Sequence, residues 1–242
     1  MKNKTAHRSV QINGREISYE WIRKKVKNIN LRVRGDGTIT VSSPHTISQK
    51  QIDAFVTEKA DFLFRAMDSV KKHLQSLPPP PTFAEGDRIF LFGKPMALRF
   101  SSLSGASIVE EHDVLILSPE ETEEKIKRKL KAYAEKRLSE TVIALCEKVY
   151  PLFPEVKRFP EIRFRTMKAT WGNCRPKERI LTFNTRLACY PIPCIEYIIL
   201  HEFTHFLVPN HSAAFYASLS QKMPDWKERK DLLNTTQIKS FF

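Results

Sequence analysis

Residues 195–207 are apolar on almost every side, through Ile195, Tyr197, Ile198, Ile199, Leu200, Phe203, Phe206 and Leu207, yet they also carry His201, Glu202 and His205. An apolar stretch of this kind predicts a buried helix. A buried helix tolerates polar groups only where they are paired or bind something, so the three polar residues need a common purpose. An α-helix turns about 100° per residue, so histidines at i and i+4 leave the same face one turn apart. There they can share one metal ion, and a glutamate at i+1 can reach a water on that ion without being a ligand.

His211 follows six residues after His205. Continued helix would carry it to the wrong face, but Pro209 disfavours α geometry at Val208, and Asn210 tolerates a left-handed turn. A second helix is expected to start near Asn210 or Ser212, with Phe215, Tyr216, Leu219 and Met223 as its apolar stripe up to Pro224. A chain that reverses there returns His211 to the metal. Three protein ligands with one open position is the pattern of a catalytic zinc, whereas structural zinc is closed by four Cys or His ligands. The predicted site is therefore Zn²⁺ on His201, His205 and His211, with Glu202 as general base.

Upstream, residues 8–43 alternate as strands, with Asn13-Gly14 and Gly35-Asp36-Gly37 as hairpin turns. Ser48 and Gln51 form a capping pair for one long helix carrying Ile52, Phe55, Val56, Leu63, Met67 and Val70 inward. Pro78-Pro79-Pro80-Pro81 predicts a stiff extended spacer. Strands are expected at 88–92, 96–100 and 114–117, turning at Gly93 and at Ser104-Gly105. Ser118-Pro119-Glu120-Glu121 reads as the start of a helix running to about 149. Two strands near 161–166 and 179–184 flank Trp171-Gly172-Asn173-Cys174. The implied division is 1–77 (β-hairpins plus helix), 78–118 (polyproline spacer and strands) and 119–242 (catalytic region).

The chain is strongly basic: 40 Lys and Arg against 27 Asp and Glu give a formal charge of +13. Such a balance favours polyanionic partners. Residues 125–131 are neutralised by i,i+4 pairs such as Glu121–Lys125, but Arg23, Lys24, Lys25, Lys27, Arg32 and Arg34 have only Glu16 and Glu20 nearby. A nucleic acid contacting this N-terminal patch is one expected partner. No apolar run is long enough for a membrane span, no apolar signal region follows Met1, and the four cysteines show no zinc-ribbon spacing. The expected location is the cytoplasm, with reduced thiols.

Helix, short antiparallel strands, H-E-x-x-H helix, turn and third ligand is the order of a minimal zincin, an α+β fold. Residues about 8–235 resemble the YgjP-like metallopeptidase family, predicted metal-dependent hydrolases related to the WLM and SprT-like zincins. The resemblance is carried by Trp171-Gly172-Asn173-Cys174, Phe183-Asn184-Thr185-Arg186-Leu187, Tyr197 to His205, Asn210-His211-Ser212, Phe215-Tyr216 and Pro224-Asp225-Trp226. Asn173 stands where the family usually has serine, Phe203 for leucine and Tyr216 for tryptophan; no ligand is removed. The resemblance implies a zincin fold with Zn²⁺ on the three histidines, and no particular substrate.

Trp171 is a candidate wall of the cleft or a core residue. Asn184 and Arg186 are candidates to orient ligands or substrate, against a turn role for Asn184 and a surface place for Arg186. Cys174 reads as a small buried hydrophobe, and Asp225 as a helix cap. The leading function is a zinc-dependent peptidase acting on a peptide or protein. The alternative is a nucleic-acid-associated binding protein whose metal is mainly structural. The WLM and SprT-like relatives, among them proteases of DNA-linked proteins, join the two.

Overall fold

The structure, a computed structural model, describes residues 4–34, 37–76, 81–102, 108–119, 122–236, 238 and 240–242. Gly35 and Asp36, Pro78 to Pro80, the Ser104-Gly105 turn and Glu120-Glu121 lie outside the described residues. The fold is mixed α and β, with six helices and three small mixed sheets among the described residues. No described helix is long and apolar enough to cross a membrane. The chain divides into two compact units, Met1–Pro78 and Pro79–Phe242.

In the first unit β1 (Lys4–Ile12), β2 (Arg15–Arg23), β3 (Asn30–Val33) and β4 (Ile39–Ser43) form one sheet in the order β1-β2-β4-β3. Asn13 and Gly14 both take positive φ, 53° and 75°, as the tight turn between β1 and β2 requires. Alternate residues of β2, Ile17, Tyr19 and Trp21, are buried in a cluster with Val41, Ile52, Val56 and Leu63. Arg23 ends β2 with its guanidinium 4.1 Å from the Trp21 ring; the rest of the basic cluster follows in the turn and on β3. Ser48 and Gln51 make the reciprocal capping box expected of them. The single helix expected after them is instead two, α1 (Gln49–Glu58) and α2 (Ala60–Ser76), divided at Lys59.

In the second unit β5 (Arg88–Leu91), β6 (Lys94–Phe100), β7 (Val109–Glu111) and β8 (Val114–Leu117) form a sheet in the order β5-β6-β8-β7. Its inward residues Leu91, Met96, Leu98, Leu115 and Leu117 share a core with α3 (Glu123–Val149), which buries Ile126, Leu130, Ala134, Leu138, Val142 and Cys146. The helix begins four residues later than Ser118-Pro119 suggested: Thr122 is its N-cap, and its hydroxyl accepts from the Lys125 N–H. Phe92 and Gly93 turn between β5 and β6, and donate their N–H groups to Ala188 and Cys189. A Cβ on Gly93 would stand 2.7 Å from the Pro191 ring, so only glycine lets this turn seat against the segment that leads into the histidine helix.

The third sheet corrects the expectation of antiparallel strands. β9 (Glu161–Arg165) runs parallel to β11 (Ile180–Asn184), and β10 (Gly172–Arg175) pairs antiparallel on the other side, in the order β10-β11-β9. Residues 166–171 carry the chain across to the far edge of β11, so β9 and β11 point the same way. From β11 a 3₁₀ turn at Thr185–Cys189 leads into α4 (Ile192–Thr204), followed by α5 (Ala213–Lys222) and α6 (Trp226–Thr235). Nine of the thirteen residues of α4 are buried, Glu202 among them.

Candidate metal centre

The last turn of α4 carries His201, and His205 is its C-cap. The chain then reverses tightly. Val208 N–H bonds back to Thr204, and Ser212 is the N-cap of α5, so Pro209 and Asn210 lie in the turn between the helices. This reversal brings His211 back, with its Nε2 2.9 Å from His201 Nε2. The His205 Nδ1 lies 3.2 Å from the Val208 carbonyl, which as acceptor fixes the proton on Nδ1 and turns Nε2 outward as a lone pair. His201 Nδ1 is buried without a partner among the described residues, so that ring's polar contact is made through Nε2. One ligand atom from each of the three residues lies within 4.8 Å of the others, a set able to hold a metal ion.

Beneath them lies Phe215. Its ring centroid is 4.9, 4.7 and 4.8 Å from those of His201, His205 and His211, and its side chain is fully buried. Sequence periodicity marked Phe215 only as part of an apolar stripe; in the fold it is the floor on which all three imidazoles rest. Burial drives the His201 pKa down to about 3 and lowers that of His205 as well. Imidazoles that resist protonation keep their lone pairs at neutral pH, which is the state a metal requires. The donor set therefore fits a divalent cation that favours nitrogen ligands.

Glu202 packs against β10. It is 5 % exposed, and its carboxylate accepts the Cys174 N–H. Burial pushes its pKa up to about 8, against that hydrogen bond, which lowers it. The strand meets it at Gly172, where an added Cβ would lie 2.5 Å from Oε1 and 2.6 Å from Cγ of Glu202. Gly172 is therefore a glycine because the carboxylate occupies the place of a side chain. Strand β10 was missed in the sequence because Gly-Asn-Cys-Arg has no alternation; the glycine within the motif was the available signal. Gly172→Ala is expected to displace the carboxylate while leaving the histidines in place. Metal content should stay at the parent level, and any metal-dependent hydrolysis should fall by tenfold or more; an unchanged rate would show that the contact is not needed.

The triad and Glu202 open onto a cleft of about 510 Å³. One wall holds Thr170, Trp171, Cys174 and Pro176, and the other Tyr197 with Lys230, Leu233 and Asn234 of α6. Trp171 thus lines the cleft, its ring 4.7 Å from that of Tyr190. Asn184 does not. It is 2 % exposed, donates through Nδ2 to the carbonyls of Met167 and Thr170 at 2.8 Å, and accepts from Arg186 N–H, so it clamps the loop that presents Trp171. Arg186 lies outside the cleft lining, with its Nε buried and unpaired among the described residues. Cys174 lines the cleft as a thiol that burial and the nearby Glu202 push up to about 12, so it stays protonated. Asp225 is the N-cap of α6, but its carboxylate accepts from Arg229 Nε at 2.7 Å instead of capping. Nothing in the sequence brings Lys230, Leu233 and Asn234 to the site, because α6, two elements beyond the histidine helix, gives no local sign of facing it; Tyr197, on α4 itself, reads only as one of that helix's apolar residues.

A family model described as "YgjP-like, metallopeptidase domain" matches residues 27–236. No curated protein matches the chain. Solved structures similar to part of it include two metallopeptidase zymogens. One is the crystal structure of the metallopeptidase zymogen of Pyrococcus abyssi abylysin, at 21% identity, covering 41% of this chain and 98% of that one with a TM-score of 0.36. The other is the metallopeptidase zymogen of Methanocaldococcus jannaschii jannalysin, at 19% identity, covering 38% and 93%, with a TM-score of 0.33.

Proposed function

The chain belongs to the YgjP-like metallopeptidase family, and from that premise we propose that it is a zinc-dependent peptidase of the zincin type with Glu202 as its general base. The observation that carries the reading is the setting of Glu202: a buried carboxylate fastened to the Cys174 N–H and Gly172, one residue from His201, in the cleft that the three histidines share. A structural metal site gives no reason for a carboxylate placed there at the cost of desolvation. His201, His205 and His211 would hold the ion, and three imidazole ligands match zinc. An ion held there would supply Lewis acidity to polarise the scissile carbonyl and to make a water acidic near neutral pH.

Glu202 accepts the proton of the attacking water on a carboxylate oxygen and returns it to the leaving amine. A buried carboxyl with a raised pKa is a stronger base than an exposed one, and a cation held by the triad would lower that pKa. The Cys174 N–H and the close fit to Gly172 hold the carboxylate in one orientation, which limits the reorganisation needed during proton transfer. Trp171 and Tyr197 give the cleft apolar walls that displace water around the reacting bond. Strand β10 is the edge of its sheet and borders the cleft; its Cys174 N–H serves Glu202, so an extended peptide adding as a strand would pair with the other backbone groups of that edge.

The alternative reading, a nucleic-acid-associated protein with a structural metal, rests on the charge of residues 23–34 alone and gives Glu202 no task. The test is a broad peptide library presented to zinc-loaded protein. Cleavage should appear, stop with a chelator, and return when zinc is restored. Absence of cleavage by fully loaded, folded protein across the library would overturn the peptidase reading.

A further inference from the structure

Helix α6 forms one side of the cleft and is fastened from behind. Arg229 reaches Glu196 on α4 and Asp225 at the helix start, so one guanidinium uses both neighbouring carboxylates. Trp226 is buried, stacks on Tyr216 with centroids 5.2 Å apart, and donates its Nε1–H to Ser220 Oγ at 2.7 Å. Leu233 is 5 % exposed. With these contacts fixed, Lys230, Leu233 and Asn234, at i, i+3 and i+4, share the face of α6 that borders the cleft.

Lys230 is the one cationic side chain among the residues lining that cleft, and Glu202 the one acidic side chain. Glu202 is held on the other wall by Gly172 and the Cys174 N–H, and no described carboxylate makes an ion pair with Lys230. The contrast with Arg229, one residue earlier on the same helix, is direct. Arg229 has two carboxylate partners at its back, whereas Lys230 has a ring contact to Trp226 at 5.8 Å and faces the cleft. A substrate anion entering the cleft therefore meets an ammonium with no described carboxylate competing for its donors.

We propose that Lys230 is a specificity residue that binds a carboxylate of the substrate, so that this cleft selects peptides with a carboxylate close to the scissile bond. The inference rests on the peptidase reading above. A carboxylate can come from two places in a peptide: the free C-terminus, one or two residues beyond the cut, or an Asp or Glu side chain beside it. In both the ammonium donates to the same oxygens, and the remaining atoms of the peptide are free to reach the triad.

The experiment uses zinc-loaded full-length protein and a set of short peptides that share one cleaved sequence, with the C-terminus free or amidated and with a neighbouring Glu or Gln. The expected result is a preference of about 10- to 100-fold in kcat/KM for one of the two carboxylate arms, carried mainly by KM. The arm that shows it identifies the source. Lys230→Met should collapse that ratio towards one, Lys230→Arg should restore most of it, and Lys230→Glu should turn it against the carboxylate. Cleavage without any carboxylate preference, or a preference that survives in Lys230→Met, overturns the role of Lys230 and leaves the peptidase reading standing. Equal loss on all four peptides in Lys230→Met, with Lys230→Arg no better, makes the residue a support of the fold and also overturns it. No cleavage of any peptide by the parent protein removes the peptidase reading and this inference with it.

Discussion

Glu202→Gln is expected to yield a folded, metal-loaded protein whose peptide hydrolysis is lower by about 10²–10⁴-fold, the usual contribution of a general base. The amide has the shape of the carboxyl and keeps an oxygen to accept the Cys174 N–H, so the contact with β10 and the packing over Gly172 persist. It has no basic oxygen to take a proton from water. Stability should not fall, because the native carboxyl is 5 % exposed and its charged form is penalised there. The measurements are zinc content, thermal midpoint and kcat on a confirmed substrate. A parent-like rate in Glu202→Gln would move the base elsewhere. Loss of zinc would make Glu202 part of what holds the metal site together. Only the combination of retained metal, retained stability and lost turnover fits a base that stands beside the ion without binding it.

What the sequence made legible was whatever is fixed by local geometry. The apolar surroundings of His201 and His205, the Pro209 break and the second helix capped at Ser212 depend on helical pitch and proline sterics, and the structure has each of them. The same holds for the Ser48–Gln51 capping box and the Asn13-Gly14 turn. What escaped depends on partners distant in sequence. Strand β10 exists because β11 and the Glu202 carboxylate lie on either side of it, and its own four residues carry no strand pattern. Strand β7, Val-Glu-Glu, is exposed throughout and is defined by pairing with β8. The parallel pairing of β9 with β11 is a matter of the path taken by residues 166–171, which composition does not dictate.

Two cap sites compete at the start of α3, Ser118 and Thr122, since both are hydroxyl residues followed by helix formers; local signals do not rank them. The division at Lys59 is likewise invisible, because lysine continues a helix well and no proline or glycine marks the break. At the site, Trp171 and Asn184 were named for good reasons but do different things. One lines the cleft, and the other clamps the loop that carries it. Lys230 looked like any lysine on a polar helix face. What sets it apart is that Arg229 has taken the nearby carboxylates, a property of α4 and α6 together.

Removing a ligand should have the opposite signature to removing the base. His201→Ala is expected to lose both zinc and all measurable hydrolysis, a larger effect on affinity than the 10–100-fold typical of residues that only support a ligand. His201 is the most protected of the three rings, packed against His205, His211 and Phe215, so its removal also leaves a small cavity and some loss of stability. His211→Ala isolates the metal effect more cleanly. That residue is exposed and sits in the turn between α4 and α5, so truncating it should change stability little, yet zinc affinity should drop markedly. In both variants the protein should remain folded without metal, by circular dichroism and a cooperative melt. Its core is built from the leucines, isoleucines and phenylalanines of α3, α4 and the two sheets, and does not depend on an ion. Unchanged zinc content in His211→Ala would take that residue out of the ligand set. Unfolding on loss of zinc in either variant would show that the ion holds the fold, and would favour a structural metal over a catalytic one.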